Sequence, residues 1–151
     1  MSEGAKQPVS VLVVIHTPGL DVLVMERAGG TGLWQSVTGS REGDEVPVAT
    51  ALREVAEETG IIATGDDLID WRLSNRFLIL PRWRQRYAPG VTHNTEHLFS
   101  LCLPAPVAPS LAPDEHTAAC WLPWQEAAER VFSWTNRDAI RLLARRFSPA
   151  A

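Results

Sequence analysis

Runs of apolar residues along the chain predict several short β-strands. Residues 9–15 are rich in valine and isoleucine, which is typical of a buried strand. A second run at residues 21–26 follows the turn-forming pair Pro18-Gly19, so we expect the two strands to form a hairpin. Similar patterns predict further strands at residues 34–38, 71–80 and 97–103.

Three other segments have the periodicity of helices. Between residues 48 and 59 the apolar side chains share one helical face, and they are Val48, Ala51, Leu52, Val55 and Ala56. Pro47 suits the first turn of this helix, and Gly60 stands where a C-cap glycine is expected. Residues 124–132 and 136–147 are predicted to form two more helices, the second of them amphipathic.

The remaining segments have the composition of loops. Residues 28–32 are rich in glycine, residues 104–113 are rich in proline, and a basic, aromatic stretch at residues 82–87 separates two predicted strands. No repeat or linker interrupts this mixture of strands and helices. We therefore expect one α/β or α+β domain that spans residues 1–151.

The composition favours a soluble globular protein. The 151 residues are enough for one domain with a full hydrophobic core, and 45% of them are hydrophobic. Eighteen acidic and 14 basic side chains give a net charge of −4. Because nucleic-acid-binding domains are usually basic, this balance argues against a nucleic-acid surface as the main function. A nucleotide-like substrate stays possible, since a metal ion can neutralise phosphates locally.

The cysteines and the N-terminal segment indicate the cellular compartment in which we expect the protein. Cys102 and Cys120 stand among apolar residues, and we expect two buried free thiols rather than a disulfide. The apolar run at residues 9–15 is too short to span a membrane and is not followed by a signal-peptide cleavage site. These features favour a cytoplasmic protein with no membrane partner.

One helical segment carries a cluster of carboxylates. Glu54, Glu57 and Glu58 are related as i, i+3 and i+4, so they project from one side of the predicted helix, opposite its apolar face. A solvated acidic face is the ordinary interpretation of such a pattern. However, three like charges so close together repel one another, and a divalent cation would turn that repulsion into binding. Mg²⁺ is held in proteins by few carboxylates together with substrate phosphates.

The spacing of residues around this cluster is more specific than the cluster itself. It combines a glycine, an acidic residue, an Arg-Glu pair, a Glu-Glu pair and a second glycine at fixed intervals: Gly39, Glu45, Arg53, Glu54, Glu57, Glu58 and Gly60. Seven fixed identities would match by chance in about one of a million random sequences of this length. The segment resembles the signature box of the Nudix family of pyrophosphohydrolases.

The resemblance implies a fold and a metal site. Nudix proteins are α/β/α sandwiches with a mixed sheet, in which the box is a loop–helix–loop that binds divalent metal. By resemblance the metal is Mg²⁺, for which Mn²⁺ can substitute, and its ligands are Glu54, Glu57, Glu58 and, outside the box, Glu115. Arg53 and Glu45 are expected to form an ion pair that fixes the loop. The glycines Gly39 and Gly60 are expected to permit tight turns.

Segments outside the box narrow the range of substrates that we expect. Residues 34–40, 86–96 and 133–140 resemble the branch of the family that hydrolyses dihydroneopterin triphosphate in bacterial folate synthesis. The implied substrate contacts are Lys6, Arg27, Thr38, Phe77, Leu78, Ile79, Leu80 and Ser133. The residues alone leave other roles open: Lys6 and Arg27 could be solvated surface charges, Ser133 a helix cap and Phe77 part of the core.

The expected reaction is attack of metal-activated water on a phosphoryl group of a small-molecule triphosphate, with Glu57 or Glu115 as general base. Two alternatives stay open. The first is a Nudix pyrophosphohydrolase that acts on dATP or other nucleoside triphosphates. The second is a non-catalytic Nudix-fold sensor that binds a nucleotide-like ligand. The four histidines have no metal-ligand spacing, and the sequence carries no signal for an oligomeric state.

Overall fold

The computed structural model describes residues 4–29 and 32–148. Within these ranges the chain forms seven strands, which are β1 (Val9–His16), β2 (Asp21–Arg27), β3 (Trp34–Gln35), β4 (Val37–Ser40), β5 (Leu68–Leu78), β6 (His93–Cys102) and β7 (His116–Pro123). The same ranges contain three α-helices, which are α1 (Pro47–Thr59), α2 (Trp124–Arg130) and α3 (Trp134–Phe147). Two 3-10 helices, Gly65–Asp67 and Pro81–Arg86, flank β5.

The strands form a mixed sheet. β1 and β6 are parallel along their whole common length, from Val9 opposite Thr95 to His16 opposite Cys102. All other described strand pairs are antiparallel: β5 pairs with β6, β4 with β1, and β2 with both β3 and β7. A parallel pair next to antiparallel edges agrees with the predicted mixed sheet.

The sheet divides between its first two strands. β1 and β2 are joined by a short turn and paired at its base, where His16 lies opposite Val22. Beyond that point β4 pairs with the first half of β1, and β2 pairs instead with β3 and β7. The predicted hairpin therefore exists only at its turn, and the two strands diverge from there.

Helices cover both faces of the sheet. Alternate residues of β1 face opposite sides, so Leu12 and Val14 belong to a core with α2 and α3, whereas Val11, Val13 and Ile15 belong to a core with α1. This arrangement is the predicted α/β/α sandwich. Helix α1 begins at Pro47, and Gly60 ends it in the left-handed conformation, with φ of 77° and its N–H bonded to the carbonyl of Ala56.

The segment 34–38 was predicted as one strand and is two. Trp34–Gln35 pairs with β2, whereas Val37–Ser40 pairs with β1. Ser36 lies at the break, and its N–H donates to the side-chain oxygen of Asn136 on α3 at 2.8 Å. The chain passes here from one half of the divided sheet to the other, so one continuous strand is impossible.

Other predicted boundaries also need correction. β6 begins at His93, four residues before the predicted start, and β5 runs from Leu68 to Leu78 rather than over 71–80. β7 was not predicted, because its first half consists of small and polar residues without a clear alternation. Helix α3 begins at Trp134, two residues before its predicted start, since the Ser133 hydroxyl accepts a hydrogen bond from the N–H of Asn136.

Both cysteines are free thiols, as expected, but Cys102 is exposed and Cys120 is half-buried, so the prediction of two buried thiols is wrong. Cys102 is the last residue of β6, and the buried part of that strand ends just before it. Across the described residues no helix is long and apolar enough to cross a membrane. Part of the predicted glycine-rich loop, residues 30 and 31, lies outside the described residues.

Candidate active site

A cavity of about 1040 Å³ opens where β1 and β2 diverge, and every side chain that the sequence predicted for the site lines it. The predicted acidic residues in its wall are Glu54, Glu57, Glu58 and Glu115. The predicted substrate-binding residues in its wall are Lys6, Arg27, Thr38, Phe77, Leu78, Ile79, Leu80 and Ser133. The fold therefore brings into one cavity residues that are up to 127 positions apart.

Arg53 organises the loop before α1. Its guanidinium donates two hydrogen bonds to the carboxylate of Glu45, at 2.8 and 2.9 Å, and a third to the carbonyl of Ser40 at 2.9 Å. The Glu45 carboxylate also accepts from the backbone N–H of Glu42 at 2.9 Å. The hydrogen bond from Arg53 is the main cause that lowers the pKa of Glu45 to about 2. The predicted ion pair between these residues is present, and it joins the loop to the helix.

Gly39 has a role other than the predicted one. It lies within β4, outside the left-handed conformation that a tight turn would require. A Cβ atom at this position would overlap the carboxylate of Glu54. Gly39 is therefore needed because the Glu54 carboxylate lies against its Cα, in the place that a Cβ would occupy.

Glu54 and Glu58 form a buried carboxylate pair. Their exposed fractions are 8% and 2%. Burial is the main cause that raises the pKa of both groups, and for Glu58 the neighbouring Glu54 adds to it. Arg53 compensates in part, since it donates to Glu54 at 2.8 Å. Glu58 Oε1 is buried without a hydrogen-bond partner among residues 4–29 and 32–148. A divalent cation would relieve both the repulsion and the missing contact.

Glu57 and Glu115 are less enclosed than this pair. The Glu57 side chain is 51% exposed and lies 3.3 Å from the Arg53 guanidinium. Glu115 precedes β7 and is close enough to Glu58 to raise the pKa of that carboxyl further. Among the described residues, no three His, Cys, Asp or Glu side chains are already gathered as an assembled metal site. The buried pair is therefore the part of the predicted ligand set whose chemistry fits a metal most clearly.

Cationic side chains line the same cavity as these carboxylates. Lys6 and Arg27 were predicted, and Arg86 joins them. Burial is the main cause that lowers the pKa of Lys6 and of Arg27, and the charge of Arg86 lowers both further. Neither residue is the solvated surface charge that the sequence left open. Three mutually repelling cations in one cavity form a site for a polyanion.

Aromatic rings hold two of these cations in place. The Arg27 guanidinium lies over the Trp83 ring, 4.8 Å from its centroid, and the Lys6 ammonium lies 5.8 Å from the centroid of Tyr87. The Trp83 ring in turn meets Phe132 edge-on at 5.9 Å. The basic, aromatic stretch that was predicted as a loop is largely the 3-10 helix Pro81–Arg86, and it contributes Trp83 and Arg86 to the cavity wall.

The predicted hydroxyl and apolar contacts have definite local partners. Thr38 Oγ1 donates to the carbonyl of Val11 at 2.9 Å, and Ser133 Oγ caps α3. Phe77 is half-buried and lies outside both core clusters, which excludes the core alternative. Leu78 and Leu80 are exposed by 54% and 41%, whereas Ile79 is buried. Residues 77–80, at the end of β5 and just beyond it, therefore form a largely apolar lip at the entrance of the cavity.

The sequence prediction missed a set of buried polar residues at the other side of the cavity. Asn94 and Glu96 on β6 are 5% and 7% exposed, and each has an oxygen without a partner among the described residues. His116 at the start of β7 is 3% exposed. No spacing rule marks such residues. The only available signal was the resemblance of residues 86–96 as a block.

His116 is neutral in this site. Burial, followed by the charge of Arg27, lowers its pKa to about 4. Its Nε2 lies 3.8 Å from Glu58 Oε1, but a neutral imidazole forms no salt bridge there. The contact is therefore a packing contact against the carboxylate pair, and it does not supply the missing positive charge.

Comparison with known proteins identifies the fold family. The NUDIX domain model matches residues 6–143. The chain belongs to the Nudix family. This result confirms the resemblance that the box predicted and the enzyme class that follows from it. Nudix hydrolases generally need divalent metal ions, which agrees with the buried carboxylate pair.

Individual Nudix relatives are similar over almost the whole chain. The dihydroneopterin triphosphate diphosphatase of Escherichia coli K12 is 44% identical over 138 residues, which cover 89% of this chain and 91% of that protein. The enzyme of the same name from Haemophilus influenzae is 40% identical over 135 residues, covering 87% and 84%. The solved structure of the E. coli dihydroneopterin triphosphate pyrophosphohydrolase superposes with a TM-score of 0.88 at 41% identity, covering 95% and 99%.

Proposed function

We propose that this protein hydrolyses dihydroneopterin triphosphate to dihydroneopterin monophosphate and pyrophosphate, as a cytoplasmic step of folate biosynthesis. One observation carries the proposal: a single cavity contains a buried pair of carboxylates and a group of three cations. That combination suits a metal-bound polyphosphate. The 44% identity to a diphosphatase of this name in E. coli supports the choice of substrate.

The proposed metal is Mg²⁺, with Mn²⁺ as a substitute, and Glu54 and Glu58 are its proposed main ligands. Glu57 and Glu115 complete the proposed set from the same cavity wall. A bound divalent ion would lower the pKa of a water molecule and neutralise phosphate oxygens. Gly39 supports this role, since it keeps the Glu54 carboxylate against β4.

The cations have the proposed role of binding the phosphate chain. Arg27 offers a planar fork for two phosphate oxygens, and Lys6 offers a point charge. Trp83 holds the Arg27 guanidinium, and a further hydrogen bond of 3.3 Å joins Arg27 to Gln35. Their positions are therefore prepared before substrate binds, which is how a site stabilises charge that develops during reaction.

A proton must leave the attacking water, and Glu57 or Glu115 would accept it. Both are in the cavity wall, and neither belongs to the buried pair. Each can therefore keep contact with solvent, to which the proton is finally released. Separate Glu57→Gln and Glu115→Gln variants distinguish the two: the base is the residue whose loss lowers kcat without weakening metal binding.

The ring of the substrate is proposed to lie between the lip of the cavity and α3. Phe77 offers a flat apolar face. The backbone of residues 78–80 and the hydroxyls of Thr38 and Ser133 offer polar contacts at the ring and side-chain edges. Thr38 Oγ1 already donates to the Val11 carbonyl, so it would act as an acceptor, whereas Ser133 Oγ accepts from the Asn136 N–H and could still donate.

A pyrophosphate-release assay tests the proposal. The purified chain is incubated with dihydroneopterin triphosphate, dATP or another nucleoside triphosphate, with Mg²⁺, with Mn²⁺ and with EDTA. We expect the highest kcat/KM with dihydroneopterin triphosphate and none with EDTA. A higher kcat/KM with dATP would replace this substrate with a nucleotide. If no triphosphate released pyrophosphate, the catalytic proposal would fail in favour of a ligand-binding sensor.

A further inference from the structure

Two buried hydrogen-bond acceptors on β6 have no donor within the described part of the chain. They are Oε1 of Glu96 and Oδ1 of Asn94, in side chains that are 7% and 5% exposed. Leaving such an acceptor unpaired costs about 1–3 kcal/mol, so native proteins contain few of them. Both residues line the cavity. Both side chains therefore border the space in which a ligand would lie.

The rest of each side chain is already fixed. Asn94 Nδ2 donates to Ser10 Oγ at 2.7 Å, and the Glu96 carboxylate accepts a hydrogen bond from the Thr135 side chain. Thr135 Oγ1 lies 3.3 Å from Ser133 Oγ at the start of α3. These contacts orient the two free oxygens before any ligand binds. Preorganised acceptors of this kind give specificity for the donors that match them.

Strand geometry places the two acceptors side by side. Asn94 and Glu96 are two residues apart on β6, so their side chains leave the same face of the sheet from Cα atoms about 7 Å apart. Phe77 on β5 lies directly opposite Asn94. An aromatic side chain thus stands beside the acceptors, where it can contact the face of a ring whose edge they bind.

The number and type of the unpaired acceptors determine which edge of a ring can bind to them. Two acceptors on one face of the strand match a ring that offers two N–H donors on one edge. A pterin ring has such an edge, because its 2-amino group is adjacent to the N3–H of the 4-oxopyrimidine. In the corresponding 2-oxo ring, a lumazine, an oxygen replaces the amino group and would repel the carboxylate of Glu96.

We propose that Glu96 and Asn94 recognise the substrate by accepting hydrogen bonds from the 2-amino group and the adjacent N3–H of its 2-amino-4-oxopyrimidine ring. This inference rests on the proposed function, since it assigns the ring-binding part of the same cavity. The ring-binding residues and the proposed metal ligands come from different layers of the sandwich. The acceptors lie on the strand beside α3, whereas Glu54 and Glu58 project from α1. Ring recognition and phosphate chemistry are therefore separable by mutation.

The test measures how tightly the ring alone binds to the wild type and to variants, in the absence of phosphates and metal. Isothermal titration calorimetry measures the affinity of 6-hydroxymethylpterin and of 6-hydroxymethyllumazine for the wild type and for Glu96→Gln, Asn94→Leu and Glu129→Gln. The last variant is a matched control, because Glu129 is exposed on α2 and outside the cavity. We expect the wild type and Glu129→Gln to bind the pterin about tenfold or more tightly than the lumazine. Glu96→Gln and Asn94→Leu should lose most of that preference.

A second measurement separates the ring from the phosphates. Inorganic triphosphate with Mg²⁺ should inhibit the wild type and Glu96→Gln equally, whereas the KM for dihydroneopterin triphosphate should rise about tenfold in Glu96→Gln. Circular dichroism and thermal unfolding establish that each variant is folded. If Glu96→Gln does not fold, the pterin preference of the wild type and of Asn94→Leu decides.

The outcomes distinguish this inference from the proposed function. An equal affinity of the wild type for pterin and lumazine would overturn the inference, and so would a folded Glu96→Gln that keeps the preference. Either result would mean that water alone satisfies the two acceptors. If the preference is present but dihydroneopterin triphosphate is not hydrolysed, the proposed reaction fails and the ring assignment stands.

Discussion

The guanidinium of Arg53 and the carboxylate of Glu45 are joined by two nearly parallel hydrogen bonds of 2.8 and 2.9 Å, across the start of α1. Such a fork-to-fork contact depends on the planar guanidinium, and a lysine cannot reproduce it. The same Arg53 also contacts Ser40 and Glu54. One side chain therefore fixes the loop, the strand β4 and one carboxylate of the candidate metal site.

Replacing this arginine should destabilise the protein. We expect Arg53→Lys to lower the free energy of unfolding by about 1–3 kcal/mol, because Glu45 and the Ser40 carbonyl lose partners in a partly enclosed position. Urea unfolding at pH 7 measures the effect. Arg137→Lys is the matched control, since its ion pair with Asp138 is roughly half exposed and should change stability by less than about 0.5 kcal/mol. Equal losses in both variants would contradict the assigned role.

Gly39 gives a second prediction. Gly39→Ala should reduce metal-dependent hydrolysis about a hundredfold or more, because the new methyl group would occupy the position of the Glu54 carboxylate. Divalent-ion affinity, measured by calorimetry, should weaken in parallel. Gly19→Ala is the control, since Gly19 lies in the turn after β1 and its Cβ would meet only Thr17 Oγ1 at 4.0 Å. A Gly39→Ala protein with normal metal affinity would show that Glu54 is not a ligand.

The buried carboxylate pair leads to a third prediction, in which one substitution stabilises the metal-free protein and also abolishes its activity. Glu58→Gln should raise the unfolding temperature of the metal-free protein at pH 7, because burial raises the pKa of Glu58 to about 10, so the wild-type carboxyl must take up a proton on folding and the amide need not. The same variant should lose nearly all hydrolysis at saturating Mg²⁺. In addition, Mg²⁺ or Mn²⁺ should raise the unfolding temperature of the wild type but not that of Glu58→Gln. Near wild-type activity in this variant would refute the metal assignment.

The fourth prediction concerns Glu96 and pH. Burial raises the pKa of this carboxyl from 4.5 to about 7. Between these values the unfolded chain has released the proton and the folded protein still holds it, so stability falls as pH rises through this window and then levels off. At about 1.4 kcal/mol per pH unit, the loss approaches about 3 kcal/mol above pH 7.

Glu96→Gln should be free of that loss. Its advantage in unfolding free energy over the wild type should therefore be absent below pH 4.5 and grow up to pH 7, as measured by urea unfolding across the range. Glu129→Gln controls for the change of a carboxylate to an amide at an exposed site. A constant difference between Glu96→Gln and the wild type at all pH values would mean that Glu96 is ionised when buried.

The features that the sequence predicted well depend on local spacing. The helix that begins at Pro47 and the cap at Gly60 follow from the residues of one segment, whereas the ion pair of Arg53 with Glu45 was expected from the family resemblance. Residues that line the cavity from distant segments were reached through resemblance, because no periodicity relates Lys6 to Ser133. Their placement in one cavity agrees with that resemblance.

The features that were missed depend on tertiary context. β6 starts before its predicted position because Asn94 and Glu96 are polar and yet buried, and a hydrophobic pattern cannot mark such positions. β7 was missed for a similar reason: its small and polar residues become a strand by pairing with β2. The role of Gly39 was wrong because the close approach of α1 to β4 is not a property of the local chain.

The divergence of β1 from β2 has a consequence for how this architecture can change. The separation of two backbones opens the cavity, so the space would persist if side chains in its wall were exchanged. The strand pairing that starts at His16 and Val22 maintains the backbone frame of an enclosure, and the residues that face it decide which molecule enters.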